Sequence, residues 1–289
     1  MIKSARFVFF TFLISVQLSY GQEIDKGYQL VLPDKKEKAV LLLFGGFPEN
    51  ADRIRKEFKI EEEAKANGVA VVFMNYNRKL WLENSEKEEL AILLIEILNT
   101  NNLATQPIFI GGFSSGGNIA FLISDYLVRN DLLSISGAFL IDSPIDLSML
   151  YRNAQKNLER GIKNEAQWLI GYFDQSLGPL SNSQTSYSKH SVFDMASNTV
   201  ENISALKGSK IRLYTEPDTT WWKENRMAEY EDLNAYQIKS MAEALDKKWG
   251  FTDVEYISTE NKGYRASGER HPHSWSIVDP KELIKWIKE

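Results

Sequence analysis

The chain alternates short, nearly unbroken apolar runs with longer segments whose apolar positions recur at helical spacing. The apolar runs are "AVLLLF" from Ala39, "VAVVFMN" from Val69, "PIFIGG" from Pro107, "ISGAFLID" from Ile135, "IRLYTEPD" from Ile211 and "VEYIST" from Val254. Runs without polar alternation predict strands buried on both faces, and the helical segments between them predict the layers that cover those faces. The succession predicts an α/β architecture with a mostly parallel, doubly wound sheet, whose functional site lies beyond the carboxyl ends of the strands.

Three helices carry readable signals. "ADRIRKEFKIEEEAKANG" offers Ile54, Phe58 and Ala64 to a core and ends on Gly68, where a left-handed cap is expected. "SEKEELAILLIEILN" begins with Ser85 and Glu88 at capping-box spacing, and the last helix is introduced by Asp279 as N-cap and Pro280 at its first position. Between Ser143 and Gly208 the alternation stops and polar helix and loop take over. This stretch, residues 143–208, reads as a helical cap inserted into the sheet, with Leu169, Tyr172 and Phe173 at helical spacing needing a surface to pack on.

Composition narrows the class. With 43% hydrophobic and 25% charged residues the chain has ample material for one large core, and a net charge of -5 with interspersed signs offers no basic stripe for nucleic acid. Lys3 and Arg6 precede an apolar run from Phe7 to Leu18, followed by small residues around Tyr20. That is the pattern of a secretory leader over residues 1–21, too short and too interrupted by Thr11, Ser15 and Gln17 to be the roughly 20-residue span of a membrane anchor. Residues 22–289 are then the mature domain, exported to a periplasm or secreted, with no stable membrane anchor once the leader is gone. Cysteine is absent, which excludes disulfides and a thiolate nucleophile, and three histidines without an H-E-x-x-H pairing supply a metal site poorly.

The chemistry is concentrated in "PIFIGGFSSGGNIAFLISDYL". Gly112, Ser114 and Gly116 form G-x-S-x-G at a predicted strand-to-helix junction. A sharp turn there lifts the Ser114 hydroxyl clear of the sheet, and the flanking glycines let neighbouring backbone pass close by. Ser115 is the rival nucleophile, but Phe113 two residues before it would crowd the turn. A serine hydroxyl needs a base to take its proton and a carboxylate to orient that base. "GERHPHSWSIVDPKELIKWI" supplies His271 and His273 just before the last helix, while His190 falls in the insertion and reads as an ordinary polar residue.

In this motif and this order of elements the chain, from about Ala39 onward, resembles the α/β-hydrolase superfamily, and in particular its carboxylesterase-like serine hydrolases. The resemblance implies Ser114 as nucleophile and His273 as base. It implies Asp218, at the end of the fifth run, as the acid. Asp142 is the main competitor, with Asp146 and Glu216 behind it, and any of these can instead cap a loop. "LLLFGGFPEN" is similar to the superfamily's oxyanion loop with Gly45 in place of the usual histidine, which implies backbone donors at Phe47 and Ser115.

Trp81, Trp221, Trp222 and Trp275 fall in loops at the expected rim, where their faces could stack on a sugar or an aryl group; each could equally pack the core. The expected activity is hydrolysis of a carboxylic ester through an acyl-enzyme, on a small-molecule or oligosaccharide ester, with no cofactor. A small serine peptidase and a non-catalytic binding module are the alternatives, since a fold does not by itself entail a function.

Overall fold

The computed structural model describes residues 27–76, 78–105, 107–250 and 253–289; the leader expected over residues 1–21 lies outside them. Seven strands form one sheet: β1 (Tyr28–Val31), β2 (Ala39–Phe44), β3 (Val69–Met74), β4 (Ile108–Phe113), β5 (Gly137–Ile141), β6 (Lys210–Thr215) and β7 (Val254–Ser258). Their order is β1-β3-β2-β4-β5-β6-β7, with β1 antiparallel to β3 and every other pair parallel. The six strands read from the apolar runs are all present. β1, a short partly exposed edge strand, carries too little apolar signal to be read from the sequence.

Continuous apolar runs have the expected consequence here, because successive residues of one strand serve two different cores. Val40, Leu42 and Phe44 face one layer and Leu41 and Leu43 the other. The first layer holds α3 (Asn84–Thr100), α4 (Ser115–Arg129) and α9 (Asn234–Trp249); the second holds α1 (Ala51–Glu57), α2 (Glu61–Asn67) and α10 (Pro280–Lys288). Each fully buried Leu or Phe of this kind contributes about 1.5–3 kcal/mol by its removal from water.

Local signals were decisive at several helix ends. Gly68 closes α2 in the left-handed region (φ 76°), and the Asp279 side chain accepts from Lys281 N–H at the start of α10. Two expectations are corrected. The segment from Ala51 to Gly68 is two helices, because the chain turns at Phe58–Ile60 to bury both of those side chains. The capping box of α3 is made by Glu83 and Glu86 rather than Ser85 and Glu88, and Glu83 is held further by the Trp81 indole N–H and by His190.

Between β5 and β6 the chain leaves the sheet through α5 (Leu147–Glu159), α6 (Asn164–Ser176) and α7 (Leu180–His190). Tyr151, Phe173 and Tyr187, one from each helix, pack edge and face against one another at 5.3–6.0 Å. Trp81 stacks on Phe173 at 5.5 Å and ties these helices to the sheet domain.

Candidate active site

The sheet order sets the site. β2 leads to β3 on one side, and the chain then crosses back to place β4 on the other, so the loops after β2 and β4 diverge around a cleft at their carboxyl ends. Phe44 pairs with Gly112, and Phe113 with Ile141. The residues that follow these pairs, Gly45, Ser114 and Asp142, therefore emerge side by side.

Ser114 sits in the turn into α4 with φ 53° and ψ -130°, and its N–H donates to Ile141 O at 2.9 Å. A non-glycine residue at positive φ costs about 1–3 kcal/mol, tolerated because the surroundings over-determine it. The flanking glycines are obligatory: a Cβ on Gly112 would lie 2.2 Å from Gly116 O, and one on Gly116 would lie 2.4 Å from Phe44 O. Gly46 is equally constrained by the Ser114 Cβ, which a Cβ there would meet at 2.9 Å. The Ser114 hydroxyl is half-buried and makes no hydrogen bond within the described residues.

His273 lines the same cleft, and its Nδ1 is 2.6 Å from Asp142 Oδ2. Asp142 is buried, is itself at φ 45°, and accepts from the Thr215 hydroxyl at 3.0 Å through its other oxygen, while its backbone carbonyl accepts from Asn234. Each carboxylate oxygen thus accepts one hydrogen bond, and one of them holds the imidazole by a single nitrogen. The second nitrogen makes no hydrogen bond among the described residues.

This corrects the expected partner of His273. Asp218 caps α8 (Thr219–Arg226), accepting from Trp221 N–H at 3.0 Å, and binds Arg270 at 2.6 Å. It stands beyond β6, one strand farther from Ser114 than Asp142 on β5. The other candidates are also accounted for. Asp146 caps α5 and accepts from Met195 N–H; Glu216 accepts from the Lys262 and Gly263 N–H groups and pairs with Arg270, pinning the loop that carries His273. His190 is bound between Ser186 O and Glu83 and plays no part in the cleft.

The loop after β2 brings Phe47 beside the elbow, where its N–H donates to Ser115 Oγ at 3.0 Å. The Ser115 N–H is at the first position of α4, where no preceding turn supplies a carbonyl. Glu49, which the motif reading passed over, holds this loop. Its carboxylate accepts from Gly46 N–H at 3.1 Å and from the Trp275 indole N–H at 3.0 Å, linking the Phe47 loop to the His273 loop. Burial pushes the Glu49 carboxyl above its ordinary value, against the lowering effect of those two donors.

The four tryptophans divide. Trp275 is fully buried against Phe58 (4.9 Å), and Trp81 is buried under Phe173, so neither forms the rim. Trp222 lines the cleft, with Trp221 packed edge-on to it at 5.1 Å and 4.7 Å from His271. A ring outside the expected set, Trp168 of α6, lies 4.7 Å from Phe47 and brings α6 to the loop after β2. The cleft measures about 900 Å³ and is walled on one side by Leu150, Ala154, Ala166 and Leu169 of α5 and α6.

Solved structures resemble this one over nearly its whole length. The fluorophosphonate-binding serine hydrolase F of Staphylococcus aureus matches with TM-score 0.57 at 14% identity, covering 91% of this chain and 92% of that one. The fold is that of the α/β-hydrolases. A fungal esterase of Rhizomucor miehei matches with TM-score 0.57 at 16% identity (90% and 78% covered), and S-formylglutathione hydrolase of Staphylococcus aureus with TM-score 0.54 at 13% identity (91% and 92% covered). No protein-family model and no curated protein matches the chain in sequence.

Proposed function

We propose that this α/β-hydrolase chain is an exported serine hydrolase that cleaves a carboxylic ester through Ser114, His273 and Asp142. The observation that carries the reading is the 2.6 Å contact from His273 Nδ1 to a buried Asp142, in the same cleft as a serine held at φ 53° on a glycine-flanked elbow. Structural packing alone gives no reason for a serine to be held in that conformation and left without a partner. Solved neighbours that are esterases and serine hydrolases support the same general chemistry.

In this mechanism Ser114 Oγ attacks the ester carbonyl carbon while His273 Nε2 takes its proton. Asp142 keeps the Nδ1 proton in place and stabilises the imidazolium. The oxyanion is received by the Phe47 and Ser115 N–H groups, Phe47 exchanging its Ser115 Oγ acceptor for the substrate oxygen. Collapse expels the alcohol with the proton from His273. Water, deprotonated by the same histidine, then attacks the acyl-enzyme and releases the acid and the free serine.

A fluorophosphonate probe tests this directly. The native protein is expected to label on Ser114, with Ser114→Ala unlabelled and equally folded. A folded native protein that takes no label refutes the reading.

A further inference from the structure

Two arginines leave the loop between β7 and His273, and their surroundings differ. Arg270 is neutralised by Glu216 and Asp218, each at 2.6 Å. Arg265 is half-buried in the wall of the cleft and forms no ion pair among the described residues. Its guanidinium carbon lies 6.0 Å from the centroid of the Phe113 ring, and that ring is 4.5 Å from the ring of His273. Arg226, at the end of α8, is exposed at the rim of the cleft and forms no ion pair among the described residues.

The acids nearest the reacting serine are committed elsewhere. Glu49 holds Gly46 and Trp275, Glu57 holds Arg53 and the Ala266 N–H, and Asp142 holds His273. Those of the rim without a partner, Glu165 and Glu269, are exposed to water. His271 adds no further positive charge: burial first, then the nearby Arg265, His273 and Arg226, lower it to about 3. Glu49 feels the charge of Arg265 but makes no ion pair with it, so this guanidinium, near an aromatic ring, keeps its donors for a bidentate anion.

We propose that Arg265 and Arg226 form an anion subsite, and that the ester taken by this site carries a carboxylate a few atoms from its scissile carbonyl. The proposal rests on the reading of the cleft as an ester-hydrolysing site. It goes beyond that reading by giving the substrate a charge.

The test is made on Ser114→Ala, which cannot turn over, so that binding is measured apart from catalysis. Calorimetry compares two pairs of nearly matched size: monophenyl succinate with phenyl butyrate, which places the carboxylate on the acyl side, and 4-acetoxybenzoate with phenyl acetate, which places it on the alcohol side. In at least one pair the carboxylate is expected to bind about tenfold more tightly than its neutral partner. Adding Arg265→Gln should reduce that advantage to about threefold or less, and Arg265→Lys should keep part of it. Equal binding within both pairs, no binding by either carboxylate, or an advantage that survives Arg265→Gln combined with Arg226→Gln overturns the proposal. Failure of the hydrolase reading shows separately, as absent fluorophosphonate labelling of the native protein.

Discussion

Replacing Asp142 by Asn is the most discriminating perturbation of this site. The carboxylate accepts from His273 Nδ1 at 2.6 Å and from Thr215 Oγ1 at 3.0 Å, and it is only 4% exposed, so water cannot substitute for it. Asn keeps the shape and can still accept from Thr215. It then presents its NH2 to the ring, which forces Nδ1 to accept and moves the imidazole proton to Nε2. That nitrogen can no longer take a proton from Ser114. The expected loss in kcat is about 10⁴-fold, or about 5 kcal/mol of transition-state stabilisation. Asp218→Asn is the control. Asn is as good an N-cap as Asp, so the bond from Trp221 N–H survives, and Arg270 keeps Glu216; activity should stay within about threefold. Both variants are assayed on a short aryl ester, with thermal unfolding showing that each is folded. A dead Asp218→Asn beside an active Asp142→Asn would refute the assignment and the sheet-order argument beneath it.

Glu49→Ala should leave the Gly46 N–H and the Trp275 indole without their acceptor and let the Phe47 loop drift, lowering kcat about tenfold or more with little change in KM; Glu49→Gln, which retains an acceptor oxygen, should recover most of the rate, measured by steady-state kinetics with thermal unfolding alongside. The neutral His271 gives a pH dependence of stability. Its value falls from 6.5 to about 3 on folding, so between these values the unfolded chain binds the extra proton, and stability should fall as pH drops through that window. Unfolding midpoints measured across it should show a shallower decline in His271→Asn than in the native protein; identical slopes would show that another group is responsible.

Much of this arrangement is local and was therefore legible in the linear chain. An unbroken apolar run such as Ala39–Phe44 can satisfy its side chains only between two covering layers, and it does so. The spacing of Gly112, Ser114 and Gly116 is set by backbone contacts within one turn and across to the neighbouring strand, contacts that no larger residue permits. His273 stands in the loop ahead of an unmistakable Asp279–Pro280 helix start. For each of these the signal and the structure lie within a few residues of one another.

The identity of the carboxylate was not legible in the same way. Asp142, Asp146, Glu216 and Asp218 all follow the ends of strands, and each is an equally good acceptor in isolation. What separates Asp142 from Glu216 and Asp218 is that β5 lies beside β4 and β6 lies one place farther, a neighbour relation formed by backbone hydrogen bonds between segments far apart in sequence, while Asp146, also beyond β5, is taken up in capping α5. The tryptophans follow the same rule. Trp81 and Trp275, like Trp222, follow the carboxyl end of a strand or precede the last helix, yet they are buried, because Phe173 of α6 and Phe58 of the turn between α1 and α2 come from distant segments to cover them. By itself the chain determined its layers, its strand-to-helix elbow and the place of His273 ahead of the last helix, since short-range sterics and hydrophobic periodicity act within single elements. Only the tertiary structure decided which acid faces His273, which rings line the cleft and which of its arginines have no ion pair among the described residues, because those outcomes depend on which distant segments become neighbours when the sheet assembles.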